Sequence, residues 1–263
     1  MVRYFCVVLC MVLGICSSAS ATWISNANEI TEEWLIKEGA KNGFTDHIVH
    51  FKRLFSKVKV RTFLEFGVGF STKYFIDKCQ RVVSVEFVTP DASPKWLRYC
   101  LKLYCRSKTW LGLPYFSAYH ESKRWAKHKY KGADSVHKAS SYQHIYRKSY
   151  ASIDASFLED LNTCIKQQVT GKDVDVAFVD CLAGIRGDLV QLLFDKVPII
   201  VAHDMPSKEH REPDNVYGYG RIIVPANYVE IHIPAGCGTV FWVKNENAYR
   251  EIICDLQAYA ASY

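Results

Sequence analysis

Apolar residues recur along this chain in two rhythms, and the point where one gives way to the other outlines an architecture. Ile30, Trp34 and Leu35, then Ile48, Phe51, Leu54 and Phe55, fall at helical spacing within residues 28–57, with Gly43 between the groups. From residue 61 short apolar runs alternate with helical periods. Arg61–Phe66 reads as a strand, Ser71–Cys79 as a helix with Tyr74 and Phe75 inward, and Arg81–Glu86 as the next strand. Ser93 and Pro94 open a helix reaching Tyr104. Beyond residue 150 the spacing predicts a helix over Ser156–Gln168, a strand over Asp175–Asp180, a helix over Gly187–Asp195 and a strand over Pro198–Ala202. Tyr228–Ile233 and Thr239–Lys244 alternate as an antiparallel pair joined through Pro234–Gly238, and residues 247–261 close the chain as a helix. Strands alternating with helices predict an α/β fold: a doubly wound, Rossmann-like, mostly parallel seven-stranded sheet with an antiparallel last strand.

Residues 106–150 break the rhythm. Pro114–Tyr119 offers a short strand, and the rest reads as a basic and aromatic insertion over the sheet. Residues 95–150 hold thirteen Lys/Arg against Glu121 and Asp134, whereas the rest of the chain is net acidic and the total is only +6. Such a face suits an acidic glycan, a nucleic acid or an anionic membrane surface, and it also suits a solvated lid whose aromatics pack on the sheet. At the chain start, Arg3, the apolar run Phe5 to Cys16 and Ala19-Ser20-Ala21 before Thr22 have the form of a signal peptide over residues 1–21. That run is too short to span a bilayer. The chain is then exported (secreted, periplasmic or lumenal) after cleavage near Ala21, which makes nucleic acid the least expected partner. N-terminal helices over 22–58 precede a main domain over 59–263. Cys79, Cys100, Cys105, Cys164, Cys181, Cys237 and Cys254 remain, with no CxxC spacing to suggest zinc. An odd count leaves at least one free thiol, and Cys100 with Cys105 is a disulfide candidate.

The chemistry concentrates at strand ends. In an open parallel sheet ligands bind beyond the carboxyl ends of the strands, and Glu65, Glu86, Asp180 and Asp204 fall there. Carboxylates in such places are costly unless something pairs with them. In FLEFGVGFST, Gly67 and Gly69 allow a tight turn and a close approach, and Ser71 and Thr72 start a helix whose free N–H groups can face a ligand. Glu86 follows Glu65 by 21 residues, a spacing suited to accepting hydrogen bonds from ribose hydroxyls. His203 is the candidate general base, having an ordinary pKa near neutrality. Asp204 can orient it, Asp180 can contact the substrate, and Arg186 can bind an anionic substrate group or form a surface salt bridge.

LEFGVGFST followed by VVSVE resembles the first two motifs of class I S-adenosylmethionine-dependent methyltransferases. DVAFVDCLAGIRGDLVQLLFDKVPIIVAHD resembles the fourth and fifth strands of the branch with small-molecule and sugar O-methyltransferases. The resemblance covers roughly residues 60–88 and 173–245. It implies S-adenosylmethionine as cofactor, held through Glu65, Gly67, Gly69, Ser71, Thr72 and Glu86. It also implies His203, Asp204 and Asp180 as catalytic residues, and a small-molecule or glycan acceptor. Thr72, standing where a dehydrogenase fingerprint has Gly or Ala, argues against a nicotinamide cofactor. Asp180 and Asp204 are the acids that would hold a divalent metal, but Met205 stands where metal-dependent members carry a second acid or Asn. The acid placed beside adenine has no identified counterpart; Glu121 and Asp154 are the candidates. The rival reading is an exported binding protein on the same scaffold, since S-adenosylmethionine is made inside cells.

Overall fold

Seven strands form one sheet in the order β3-β2-β1-β4-β5-β7-β6. They are β1 (Thr62–Phe66), β2 (Arg81–Phe87), β3 (Trp110–Tyr115), β4 (Val176–Val179), β5 (Ile199–His203), β6 (Tyr228–Ile233) and β7 (Thr239–Lys244). The first five run parallel, and β7 pairs antiparallel with both β5 and β6. Among the described residues six helices accompany them: α1 (Glu32–Asn42), α2 (Ile48–Lys57), α3 (Ser71–Lys78), α4 (Pro94–Tyr104), α5 (Arg186–Leu193) and α6 (Arg250–Ala260). The computed structural model describes residues 24–87, 94–115, 163, 166–167, 173–181, 185–205 and 217–263.

The alternation of side chains along a strand divides the core in two. Phe63, Val176, Phe178, Ile199, Val201 and Phe241 face α1–α4 and α6, where Phe51 packs with ring centroids 4.9 Å from both Phe75 and Phe178. Leu64, Phe66, Ala177, Val179, Ile200 and Ala202 point to the other face, against Leu189 and Leu193 of α5. The same parity places Glu65, Asp180 and His203 toward the N-terminal helices. Those helices are fastened there: Thr31 caps α1 through Trp34 N, and Arg53 of α2 donates two bonds of 2.7 and 2.9 Å to Asp255 of α6.

The strand expected over Pro114–Tyr119 starts earlier, at Trp110, because Trp110–Tyr115 completes a parallel ladder with Val82–Phe87. Trp110 Nε1 also donates to Ser84 Oγ at 2.9 Å. The Cys100–Cys105 disulfide is not formed: Cys100 is buried in the core, Cys105 is exposed, and both are free thiols. The signal segment, the helix over 156–168 apart from helical residues 163 and 166–167, and the insertion beyond 115 lie outside the described residues. No helix among the described residues is long and apolar enough to cross a membrane.

At the start of α5, Gly187 passes against residues 217–219. Its N–H donates to Tyr217 O at 3.0 Å, and a Cβ there would stand 1.9 Å from Gly218 O. Gly187→Ala should therefore force the two segments apart and destabilise the protein by about 1–3 kcal/mol, read as a lower denaturant midpoint.

Candidate functional site

β1 ends over a turn that the protein's own side chains hold almost completely. Glu65, 1% exposed, accepts from Thr72 Oγ1 at 2.8 Å and Ser84 Oγ at 2.6 Å. Thr72 Oγ1 also accepts from Gly69 N at 3.0 Å. Glu86 Oε2 accepts from Val68 N at 2.7 Å, Trp96 Nε1 donates to Val68 O, and Tyr104 Oη donates to Gly69 O. The two glycines differ. Gly67 has φ +98°, and a Cβ on it would lie 2.4 Å from Asp180 O, so it serves the packing of β1 against β4. A Cβ on Gly69 would meet nothing within 4 Å; that glycine borders open space.

Ser71 and Thr72 are buried, and Glu65 lies beneath the turn rather than at its surface, because strand parity puts it on the Phe63 side opposite α3. Glu86 is the partly exposed acid of the pair. Burial raises the Glu65 carboxyl to about 8 against the lowering effect of its two hydroxyl donors, and burial raises Glu86 to about 7.

A second constellation occupies the ends of β4 and β5. Arg186 Nη1 stands 3.0 Å from Asp180 Oδ1 and 2.8 Å from Asp204 Oδ2, Arg186 Nε donates to Cys181 O at 2.7 Å, and the guanidinium lies 4.6 Å from the Tyr217 ring centroid. Asp204 reaches it because the chain leaves β5 in a left-handed conformation, φ +64°, which turns that carboxylate toward α5. His203, 2% exposed, directs Nε2 to Asp46 Oδ1 at 2.6 Å, with Nδ1 at 3.6 Å from Asp180 Oδ2 and 3.7 Å from Asp204 Oδ1. Its carbonyl accepts from Tyr219 Oη. Burial alone would lower the His203 pKa, but Asp204, Asp180 and Asp46 outweigh it and raise it well above the ordinary value. Burial likewise opposes ionisation of Asp180, yet Arg186 and His203 hold its carboxyl well below the usual range.

Expectation and structure part at three points. The carboxylates facing His203 raise its pKa above the ordinary value, so the base of near-neutral pKa expected from the sequence is not what this environment makes. Arg186 is an internal cation bridging two strand ends, not a surface salt bridge. A divalent metal between Asp180 and Asp204 does not fit, because the Arg186 guanidinium stands between the facing oxygens. Asp46 and His47 escaped the sequence reading. They sit in the turn between α1 and α2, pinned where Thr45 Oγ1 donates to Leu35 O at 2.6 Å and Cys237 N donates to Asp46 Oδ2 at 2.6 Å. Asp46 and His203 are 157 positions apart, and the one local signal is a titratable pair following Gly43 where the helical period lapses.

Five parallel strands, a sixth and seventh with β7 antiparallel between β5 and β6, and acids at one edge complete the pattern to which the motifs pointed. This strand order and these directions are the ones implied by the resemblance to class I S-adenosylmethionine-dependent methyltransferases. No protein-family model matches the chain, and no curated protein does. Among solved structures it is similar to an O-methyltransferase from Bacillus cereus in complex with SAH, at 14% identity and TM-score 0.46 over 90% of this chain and 99% of that one. It is also similar to the SAH-bound methyltransferase PaMTH1 of Podospora anserina, at 13% identity and TM-score 0.44 over 84% and 88% of the two chains. A putative O-methyltransferase from Klebsiella pneumoniae gives 12% and 0.44 over 91% and 90%. The two constellations sit at adjoining strand ends, since Gly67 packs against Asp180.

Glu65 supplies a pH test. Its carboxyl titrates near 4.5 when unfolded and near 8 when folded, so between those values the folded chain binds the extra proton and stability falls as pH rises. Glu65→Gln, which keeps an acceptor for Thr72 and Ser84, should flatten that decline. Denaturant unfolding at pH 5 and pH 8.5 measures it; an unchanged slope would show Glu65 to be ionised in the fold.

Proposed function

We propose that this protein is an S-adenosylmethionine-dependent methyltransferase acting on an oxygen of a small molecule or glycan, with an anionic acceptor favoured by the basic 95–150 region. The observation that carries the reading is the pairing of Glu86 with the glycine turn. A partly exposed carboxylate at the end of β2 is fixed by Val68 N beside Gly69, whose Cβ direction is open. Such a cradle suits a ribose diol and a close ligand approach. Gly69 and Glu86 are its contact residues, and Glu65, Gly67, Ser71 and Thr72 hold its shape.

Bound cofactor supplies a methyl group on a positively charged sulfur. An acceptor oxygen receiving that methyl group would have to give up its proton. Asp180, at 23% exposure the most accessible group of the second constellation, lies nearest to that step. His203, Asp204 and Arg186 fix it in place and set the local charge. The low affinity of Asp180 for a proton favours acceptors that ionise readily or pass their proton to water. The proposal includes export after cleavage near Ala21 and contact of the basic region with an anionic acceptor or membrane surface.

One observation favours the rival, a binding protein without the reaction: Asp180, His203 and Asp204 are all engaged with one another, Arg186 or Asp46.

Calorimetry of the full chain with S-adenosylhomocysteine tests the proposal. The folded wild type should bind, and Glu86→Ala should weaken binding about 10–100-fold, the loss of hydrogen bonds to a charged group. Gly69→Val should weaken it with little change in melting temperature. Asp180→Asn should lower methyl transfer about 100-fold or more while binding persists. No heat from folded wild type removes the reading; binding without transfer to any oxygen acceptor selects the rival.

A further inference from the structure

His47 is fully buried, and neither ring nitrogen has a hydrogen-bond partner among the described residues. Two unsatisfied nitrogens in one buried ring are a rare arrangement. The ring lies between Phe178, 4.8 Å away by centroids, and His203, 4.6 Å away, so its edges cannot turn to solvent. Asp204 Oδ1 is a further buried atom without a hydrogen-bond partner among the described residues. Both orphans belong to the same few ångströms. One donor atom each from His47, Asp180 and His203 lies within 4.8 Å of the others, and His203 Nδ1 is 3.6 Å from Asp180 Oδ2 and 3.7 Å from Asp204 Oδ1. Those separations are too long for hydrogen bonds. They are close to the spacing of about 3.4 Å between ligand atoms around a tetrahedral ion with bonds near 2.1 Å.

The geometry points to a site for a borderline divalent transition metal such as zinc, held by the imidazoles of His47 and His203 and the carboxylate of Asp180. It is distinct from the Asp180–Asp204 position filled by Arg186, because Arg186 takes Asp180 Oδ1 and Asp204 Oδ2 and leaves the opposite oxygens toward the imidazoles. Three further features agree. His203 gives its other nitrogen to Asp46, the carboxylate–histidine arrangement that orients a metal-bound imidazole. Asp46 is itself held by Cys237 N at 2.6 Å. Three carboxylates (Asp46, Asp180, Asp204) against one guanidinium leave two negative charges for a dication once His203 has released its Nδ1 proton to solvent. Two nitrogens and one oxygen select zinc, cobalt or iron over magnesium or calcium, which favour all-oxygen shells.

The test uses the tag-free full chain after dialysis against a chelator. Cobalt(II) should bind one per chain with visible absorption of a tetrahedral or five-coordinate ion, without a sulfur charge-transfer band, and zinc should displace it. His47→Phe, which fills the space without a donor, should abolish binding. Asp46→Asn should weaken it about 10–100-fold. Melting curves establish that each variant is folded, and Asp46→Asn carries the test alone if His47→Phe is not. The assignment is overturned if folded wild type shows no one-to-one binding or either folded variant keeps wild-type affinity. A thiolate band, placing the ion on Asp46, His203 and Cys237 instead, also overturns it. The readout needs no cofactor or acceptor, so its outcome is separate from that of the methyltransferase reading.

Discussion

The guanidinium of Arg186 is the interaction on which the candidate site depends. It enters a buried space between β4 and β5 and is met by two carboxylates, two backbone carbonyls and the face of Tyr217. A charge in that position is tolerable only with such partners, and removing one of them typically costs 3–5 kcal/mol. Each partner is thereby fixed. Asp204 adopts a left-handed backbone to reach the guanidinium, and Gly187 and Gly218 pass without a Cβ between them so that Tyr219 can bond His203 O. The ends of two strands, the start of α5 and the 217–219 segment are thus tied to one another through this group.

The glycine turn obeys a different constraint. Its amides and carbonyls are engaged by Glu86, Thr72, Trp96 and Tyr104, so its shape exists before any ligand arrives. Glu65 anchors this from below, and through Ser84 it connects to Trp110 on β3. A carboxyl that holds a proton near neutral pH can occupy such a place without an opposing cation, which explains how an acid in an apolar strand is tolerated.

Strand and helix positions were legible because each strand is short, apolar and bounded by glycine or charge, and the seventh strand's direction followed from its short connection to the sixth. Glu86, Asp180 and Asp204 were legible as strand-end acids. The depth of Glu65 was legible in principle, since it shares parity with Phe63, but a carboxylate ending an apolar run is ordinarily expected at a solvent-facing strand tip. The upward shift of the His203 pKa was not, because three carboxylates from separate segments cause it, one of them 157 residues away. The start of β3 at Trp110 was obscured because Gly112 and the flanking polar residues mask its period, and pairing with β2 decides it.

Parity also accounts for the contribution of the N-terminal helices. Side chains on one face of a parallel sheet must be covered by whatever packs there. Asp180 and His203 fall on the face that carries Phe178 and Val201, so they emerge beneath the α1–α2 turn rather than beneath α5. A polar group delivered to that position needs a polar cover, and Asp46 supplies one while His47 fills the space against Phe178. Gly39, whose Cβ would lie 2.6 Å from Asp46 N, lets the turn descend far enough to do so. The segment before β1 is therefore part of the site's chemistry as much as of its packing, and the sheet alone would present His203 with carboxylates on one side only.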